Sequence, residues 1–494
     1  MTGIRCTSID TSPLCLQSVE LPGIVDQIKH LHPAYRSSSN TIDCLATPSR
    51  SNFQTDSDAL LRLREKFDPA DIAFKLARNF TKIDLSQQII GRSHILLQTL
   101  LTLLCREHQL ILSRAGMAKT LYSDTIFGQF IDATTYKIQF TKGTPEEALV
   151  GPLDIRRLKN GEYVHNTNGS VIHAHFAFFD EIFNANDPAL LSLNSIMQER
   201  KFSKGAQQEI AQLRSALAAS NILRYTEQTE AVVDRYMAIA YLAPLSDPLD
   251  RSQMLRSYER FGGKPQLPPE HERIPLTEFD FLCDIIANQE SKHRIKVPDH
   301  MFFIQQMIVK EYTEAVSKQS GNDASKGEVY ISDRTNAKSM RFAKASALLE
   351  GRTVVLDQDL IALSNILAPL GHVRDFSSKY ALAAGRVLAA VGLEDRKVID
   401  SIFQIYDGVN DIRLAIEDGT HIINPGLLDK LCMACRLTGP GEITFRSISK
   451  ALKEGLAPKH AAVHSLRENV MKKIDEAVKR TNLREDASVM QYLK

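Results

Sequence analysis

The chain contains no tryptophan in 494 residues, and aromatic residues make up only 7% of it. Proteins that stack nucleic-acid bases need aromatic platforms beside basic grooves, and no such cluster is gathered here. Sixty basic residues face 59 acidic ones, leaving a net charge of +1. That balance argues against a large nucleic-acid footprint. No uncharged apolar run reaches about 18 residues, so no membrane-spanning helix is expected. The longest apolar stretch, residues 95–105, contains Gln98 and runs into Arg106 and Glu107. The first ten residues lack the basic-then-apolar layout of a secretory signal. Seven cysteines are too few to frame a chain this long with disulfides, which fits a reducing cytoplasm. Cys432 and Cys435 form one CxxC without a second pair or a histidine pair, and read as two buried thiols rather than a zinc or redox site.

A hydrophobic fraction of 43% and a charged fraction of 24% are those of a globular protein. The length predicts two to four domains. Residues 1–58 are rich in Ser, Thr and Pro and read as a loosely ordered leader with one short helix at 24–32. His30 and His32 in that helix are expected at the surface. Apolar residues then recur at helical spacing (Leu60, Leu61, Leu63, Phe67, then Ile72, Leu76, Phe80), and 87–106 reads as a further helix. Strands are expected at 109–112, 137–140, 175–179, 215–219 and 237–242, with helices at 119–130 and 188–198 between them. The alternation predicts an α/β fold with a parallel sheet flanked by helices. Residues 244–275 are turn-rich and read as a linker. A helical region is expected at 276–372 with a break at 317–327, and a mostly helical one at 373–494 with a short strand at 443–445. The α/β core thus spans 59–243.

Four short motifs carry chemistry. In Ser113-Arg-Ala-Gly-Met-Ala-Lys-Thr120 a strand ends, Gly116 allows a turn, and Lys119 and Thr120 open a helix. Such a turn aims backbone N–H groups and a helix N-terminus at phosphates, with the Lys reaching the outer phosphates and the hydroxyl holding Mg²⁺. The strict pattern has Gly at the positions of Ser113 and Ala118. Ala118 is tolerable there if its φ is negative. Sixty-one residues after Lys119, an apolar strand ends in Asp180 and Glu181. Asp180 is expected to hold Mg²⁺ through water, and Glu181 to orient the attacking water. The alternative is a plain strand followed by a helix cap. Asn221 follows a third buried run and reaches the same sheet edge, where an amide can contact a γ-phosphate. Arg235 precedes the last strand and suits transition-state phosphoryl charge, the alternative being a solvated surface cation. Placed there, it would serve a neighbouring subunit. Ser332 reads as an N-cap, which puts Arg334 in a first helical turn within reach of phosphates. His173 and His175 at a strand start read as structural.

These segments resemble the MoxR branch of AAA+ ATPases, most closely its RavA-type members, from about Leu60 to Leu367. Ile89-Ile90-Gly91-Arg92 is similar to the family's adenine-packing segment. Arg114, Ala115, Gly116, Met117, Ala118, Lys119 and Thr120 resemble its phosphate loop, which commonly carries Ala before the Lys. Thr144-Pro-Glu-Glu-Ala-Leu-Val-Gly-Pro-Leu-Asp-Ile155 resembles the approach to its helix-2 insert, and Asn194-Ser-Ile-Met-Gln-Glu-Arg-Lys-Phe202 the segment after the carboxylate pair. Ile331-Ser-Asp-Arg334, Ala345-Ser-Ala-Leu-Leu-Glu-Gly-Arg352 and Asp359-Leu360 resemble its lid helices. The resemblance implies an AAA+ core, an all-α lid and ATP with Mg²⁺ as ligands. Lys119 and Thr120 would bind phosphate and metal, and Asp180 and Glu181 would form the metal and hydrolysis pair. Asn221 would be the first sensor, Arg235 the finger and Arg334 the second sensor. It also implies a homo-oligomeric, hexameric ring acting as a chaperone-like remodeller, with a partner carrying a von Willebrand factor A domain. Residues 373–494 match no accessory domain of that family.

Overall fold

Gln109–Ser113 is apolar at every interior position and forms a fully buried strand, β1. Buried runs of this kind suit a parallel sheet covered on both faces. A computed structural model describes residues 64–85, 89–205, 207–221, 232–290, 292–320, 331–367, 376–417, 423–481, 486 and 488–491. The expected leader at 1–58, with His30 and His32, lies outside the described residues.

Two helices precede β1: α1 (Pro69–Leu85) and α2 (Ser93–Leu104). After it come α3 (Lys119–Phe127), the short β2 (Phe130–Ile131), β3 (Thr135–Gln139), β4 (Phe176–Asp180), α4 (Asp187–Gln198), a hairpin of β5 (Lys201–Lys204) and β6 (Gln207–Ile210), β7 (Ser215–Ser220) and β8 (Ala238–Leu242). The main sheet has the order β3-β4-β7-β1-β8, with every neighbouring pair parallel. The expected strands therefore form, each within a residue or two of its expected bounds. In β3 exposed and half-buried positions alternate, as befits an edge. Phe127 and Phe130 pack on Phe176 with ring centroids 5.2 and 4.8 Å apart, and Phe279 joins them at 4.9 Å from Phe130. Each fully buried Phe contributes about 1.5–3 kcal/mol relative to an exposed one.

Because all strands of the main sheet run the same way, residues that follow them gather at one edge of the sheet and residues that precede them at the other. The topology thus carries Ser113, Asp180 and Ser220 to the carboxyl edge, and Arg106, Arg214 and Asp234 to the amino edge.

Beyond β8 the expected linker contains a 14-residue helix, α5 (Pro248–Phe261), none of whose residues is buried. Asp247 caps it, Pro248 opens it and Gly262 ends it at φ +62°. Then follow β9 (Ile274–Pro275), which pairs with β2, and α6 (Leu276–Ile286), α7 (Asp299–Ser320), α8 (Asp333–Leu349) and α9 (Asp357–Ala362). Helix α7 continues through Ser317 to Ser320, so the expected break begins later than its sequence suggested, and 321–330 lie outside the described residues. Ser332 is the N-cap of α8, as expected.

The described residues fall into two units. The first comprises those up to Lys296 together with Tyr312–Ala381. In it α6 and α8 pack on α1 and α2, and ion pairs tie them to the amino edge of the sheet: Arg106 to Asp280 and Asp284 at 2.7 Å each, and Lys338 to Glu107 at 2.8 Å. The second comprises Val297–Glu311 and Leu382–Lys494. Its longest helix, α11 (Leu393–Glu417), follows α10 (Phe376–Ala390) and packs on α12 (Pro425–Cys435) and α14 (Ala461–Thr481) through Ile402, Ile405, Ile412, Leu431 and Ile474. The strand expected at 443–445 is absent. Thr444 instead caps the short α13 (Phe445–Lys450) in a reciprocal box with Ser447.

Candidate functional site

The turn after β1 has the geometry a phosphate loop needs. Ser113 is buried and its Oγ donates to the Arg114 carbonyl at 3.1 Å. Residues Arg114, Ala115 and Gly116 are exposed, Met117 half-buried, and Gly116 adopts φ +81°. Helix α3 then begins at Lys119 without a side-chain cap, the kind of helix start that can take up an anion. Ala118 departs from expectation: its φ is +54°, not negative. The chain enters the helix through a left-handed residue, a conformation that costs any side chain with a Cβ.

Four of the expected residues meet at the carboxyl edge. The Lys119 side chain is 8% exposed, and its Nζ lies 2.7 Å from Asn221 Oδ1 and 3.5 Å from both Glu181 Oε1 and Asp180 Oδ1. Asn221 Nδ2 donates to Glu181 Oε1, and the Asn221 N–H reaches Glu181 Oε2 at 3.4 Å. The Glu181 N–H donates to Asp180 Oδ1 at 3.0 Å, with Glu181 itself at φ +53°. One cation thus faces two carboxylates, an excess of negative charge that suits a divalent cation. Asp180 and the exposed Thr120 hydroxyl are hard oxygen donors of the kind Mg²⁺ takes, one or two per protein site. Among the described residues no three His, Cys, Asp or Glu side chains gather into a self-sufficient metal site.

The segment expected at adenine lies beside the chain leaving β8. Ile89 is buried and Ile90 half-buried. Gly91 sits at φ +66°, and a Cβ there would lie 2.9 Å from both Asp250 Oδ2 and Leu245 Cδ2. Arg92 donates to the Ala243 carbonyl.

Arg235 and Arg334 belong to a different cluster. Arg235 precedes β8 and is therefore at the amino edge, opposite Lys119. Arg334, in the first turn of α8, pairs with Asp234 beside it. Burial and then the neighbouring Arg334 lower the Arg235 pKa, while Asp234 opposes them. The Asp-Arg dipeptide was visible in the sequence. What was not visible was that α8 would bring a second cation to it.

The two histidines expected at the start of β4 are held in local contacts. His175 Nδ1 accepts the Thr134 N–H at 3.0 Å, and His173 Nε2 lies 3.0 Å from Thr167 Oγ1. Cys432 and Cys435 are buried free thiols, and burial pushes the Cys435 thiol up to about 12.

A five-stranded parallel sheet with a phosphate-loop turn and paired carboxylates at its carboxyl edge, followed by a helical lid and a mostly helical C-terminal region, defines an AAA+ fold. Residues 76–256 match the MoxR domain of MoxR-vWA-beta-propeller ternary systems, and residues 304–368 match the AAA lid domain. The chain is similar to two uncharacterized proteins of Methanocaldococcus jannaschii. One is 27% identical over 64% of this chain and 78% of that protein, the other 29% over 57% and 70%. It is also similar to the chaperone MoxR1 of Mycobacterium tuberculosis, at 25% identity over 55% of this chain and 69% of that one. A solved candidate ATPase from Cytophaga hutchinsonii shares the fold with a TM-score of 0.51 and 19% identity, over 68% of this chain and 98% of its own. These matches support a MoxR-type AAA+ ATPase.

Proposed function

We propose that the chain binds ATP with Mg²⁺ at the carboxyl edge, hydrolyses it, and works as a ring subunit that remodels a protein partner in the cytoplasm. The convergence of Lys119, Asp180, Glu181 and Asn221 carries this reading. Lys119 meets the outer phosphates as a point charge, and the uncapped start of α3 offers N–H groups to the same anion. Asp180 and Thr120 would hold Mg²⁺, which when bound neutralises developing phosphate charge. Glu181 orients water for in-line attack, and Asn221 fixes that carboxylate through its amide. Ile90 and Gly91 pack against the base.

Arg235 and Arg334, at the opposite edge, serve the nucleotide of a neighbouring copy. Head-to-tail contacts of that kind close into a ring, which we take to be a hexamer. The Thr144–Ile155 segment supports a RavA-like member of the family. The matched domain's description names von Willebrand factor A and β-propeller components. The partner is accordingly a protein with a von Willebrand factor A domain.

ATP hydrolysis per subunit, measured against protein concentration with Glu181→Gln as the blank, tests this reading. Turnover that rises cooperatively and vanishes in the variant supports it. A second reading, a nucleotide-dependent scaffold with little turnover, is favoured by the strained Ala118 and by Ser113 at the loop's first glycine position. Bound ATP without turnover would select that reading.

A further inference from the structure

Asp234 joins the two amino-edge arginines, as the neighbour of Arg235 in sequence and the ion-pair partner of Arg334. We infer that Asp234 is a positioning residue that holds Arg334 beside Arg235, so that the two guanidiniums meet an anion as one unit. The inference rests on the proposed use of both arginines at a neighbouring copy's nucleotide.

Arg334 Nη1 donates to Asp234 Oδ2, across 100 residues of sequence. The Asp234 side chain is 17% exposed and that of Arg334 is 41% exposed. The carboxylate is thus set in the fold while the guanidinium stands at the surface. Asp234 Oδ1 is buried and has no hydrogen-bond partner among the described residues, so one oxygen retains acceptor capacity. The two guanidiniums repel each other, and Asp234 attracts Arg235 as well as pairing with Arg334. Without the carboxylate, repulsion turns the more exposed cation away from its neighbour. With it, two cations and one anion leave a net positive charge whose planar forks are already aimed. An exposed ion pair adds little to folding stability, so orientation is the benefit that would keep Asp234 there.

The test uses the full chain, with ATP turnover, binding of fluorescent ATP and thermal midpoints measured for Asp234→Asn, Asp234→Glu, Arg235→Ala, Arg334→Ala and the double variant Asp234→Asn/Arg334→Ala. Asp234→Asn is expected to lower kcat roughly tenfold, the scale of one lost charge-assisted bond. KM and ATP binding should hold, because Lys119 lies at the other edge. Asp234→Glu should recover most of kcat, and Asp234→Asn should cost nothing further once Arg334 is Ala. Unchanged kcat in Asp234→Asn, or an equal loss in the Arg334→Ala background, overturns the inference. If Asp234→Asn lowers the thermal midpoint, the Glu variant and the double variant still decide. If Arg235→Ala and Arg334→Ala both leave turnover intact, the proposed function of the arginines fails first. If they lower it and Asp234→Asn leaves kcat unchanged, only the role of Asp234 fails.

Discussion

Ala118 sits where the phosphate loop needs a left-handed residue, and its φ of +54° makes it the strained link of that loop. The conformation costs roughly 1–2 kcal/mol for a residue with a Cβ. Glycine would relieve it, but the looser unfolded chain takes back roughly 0.5–1 kcal/mol. Ala118→Gly should therefore hold or slightly raise the thermal midpoint. Ala118→Val should destabilise by about 1–3 kcal/mol, since a β-branched residue fits this region worst. A Val variant melting with the parent would mean that this φ is not kept in solution. At the site itself, Glu181→Gln should cut turnover at least about 100-fold while ATP still binds. Asp180, Glu181 and Asn221 were legible because each ends or follows an apolar run, and Lys119 because it opens a helix after the loop that leaves one; strand direction carries all four to one edge. The sign of φ at Ala118 was not, since an Ala before a Lys suits either turn. Nor was the pairing of Asp234 with Arg334, which depends on where α8 packs.

Elements with a buried face announced themselves, and those without one did not. Strands β1, β4, β7 and β8 are apolar runs buried at almost every position. Helix α5 buries nothing, so no core stripe marks it, and Gly262-Gly263 with Pro265 dominated the reading of that stretch. Its Asp247-Pro248 start was the signal available. At 443–445 a short strand was expected, yet the Thr444–Ser447 cap starts a helix there. The segment around Gly151 makes a sharper prediction. Gly151 adopts φ +96°, and a Cβ there would lie 2.0 Å from the Asn166 carbonyl oxygen. Backbone cannot yield as a side chain can, so Gly151→Ala should destabilise by on the order of 2 kcal/mol or more. An unchanged urea midpoint would show that 151 and 166 are not packed against each other.

At the scale of the whole molecule, charge gathers at the amino edge. Arg64, Arg106 and Arg214 meet Asp280 and Asp284 there, at 2.7–2.8 Å. His108 lies beneath, buried and neutral, with Nδ1 accepting the Ala216 N–H and Nε2 directed at the Met197 carbonyl, each at 3.0 Å. Burial, and after it Arg200, hold its pKa well below 6.5. A depressed folded-state pKa means that the unfolded chain takes up the proton first. Its contribution is therefore full above pH 6.5 and is lost as pH falls below that value. The thermal midpoint should drop on going from about pH 7.5 to about pH 5.5, and drop less in His108→Gln; equal drops would assign the dependence to other groups. That residues 297–311 belong with the second unit was not legible, because they join chain that lies 70 or more positions further on, and no composition change marks that return.

The hydrolytic site proposed here is completed by a neighbouring copy. The most direct test mixes two chains that should each be inactive, Glu181→Gln and Arg235→Ala. In a mixed ring some interfaces join an intact Glu181 to an intact Arg235. Turnover that reappears on mixing, and depends on the ratio of the two chains, is the predicted result. Two inactive chains that stay inactive together, while still assembling with each other, would contradict it.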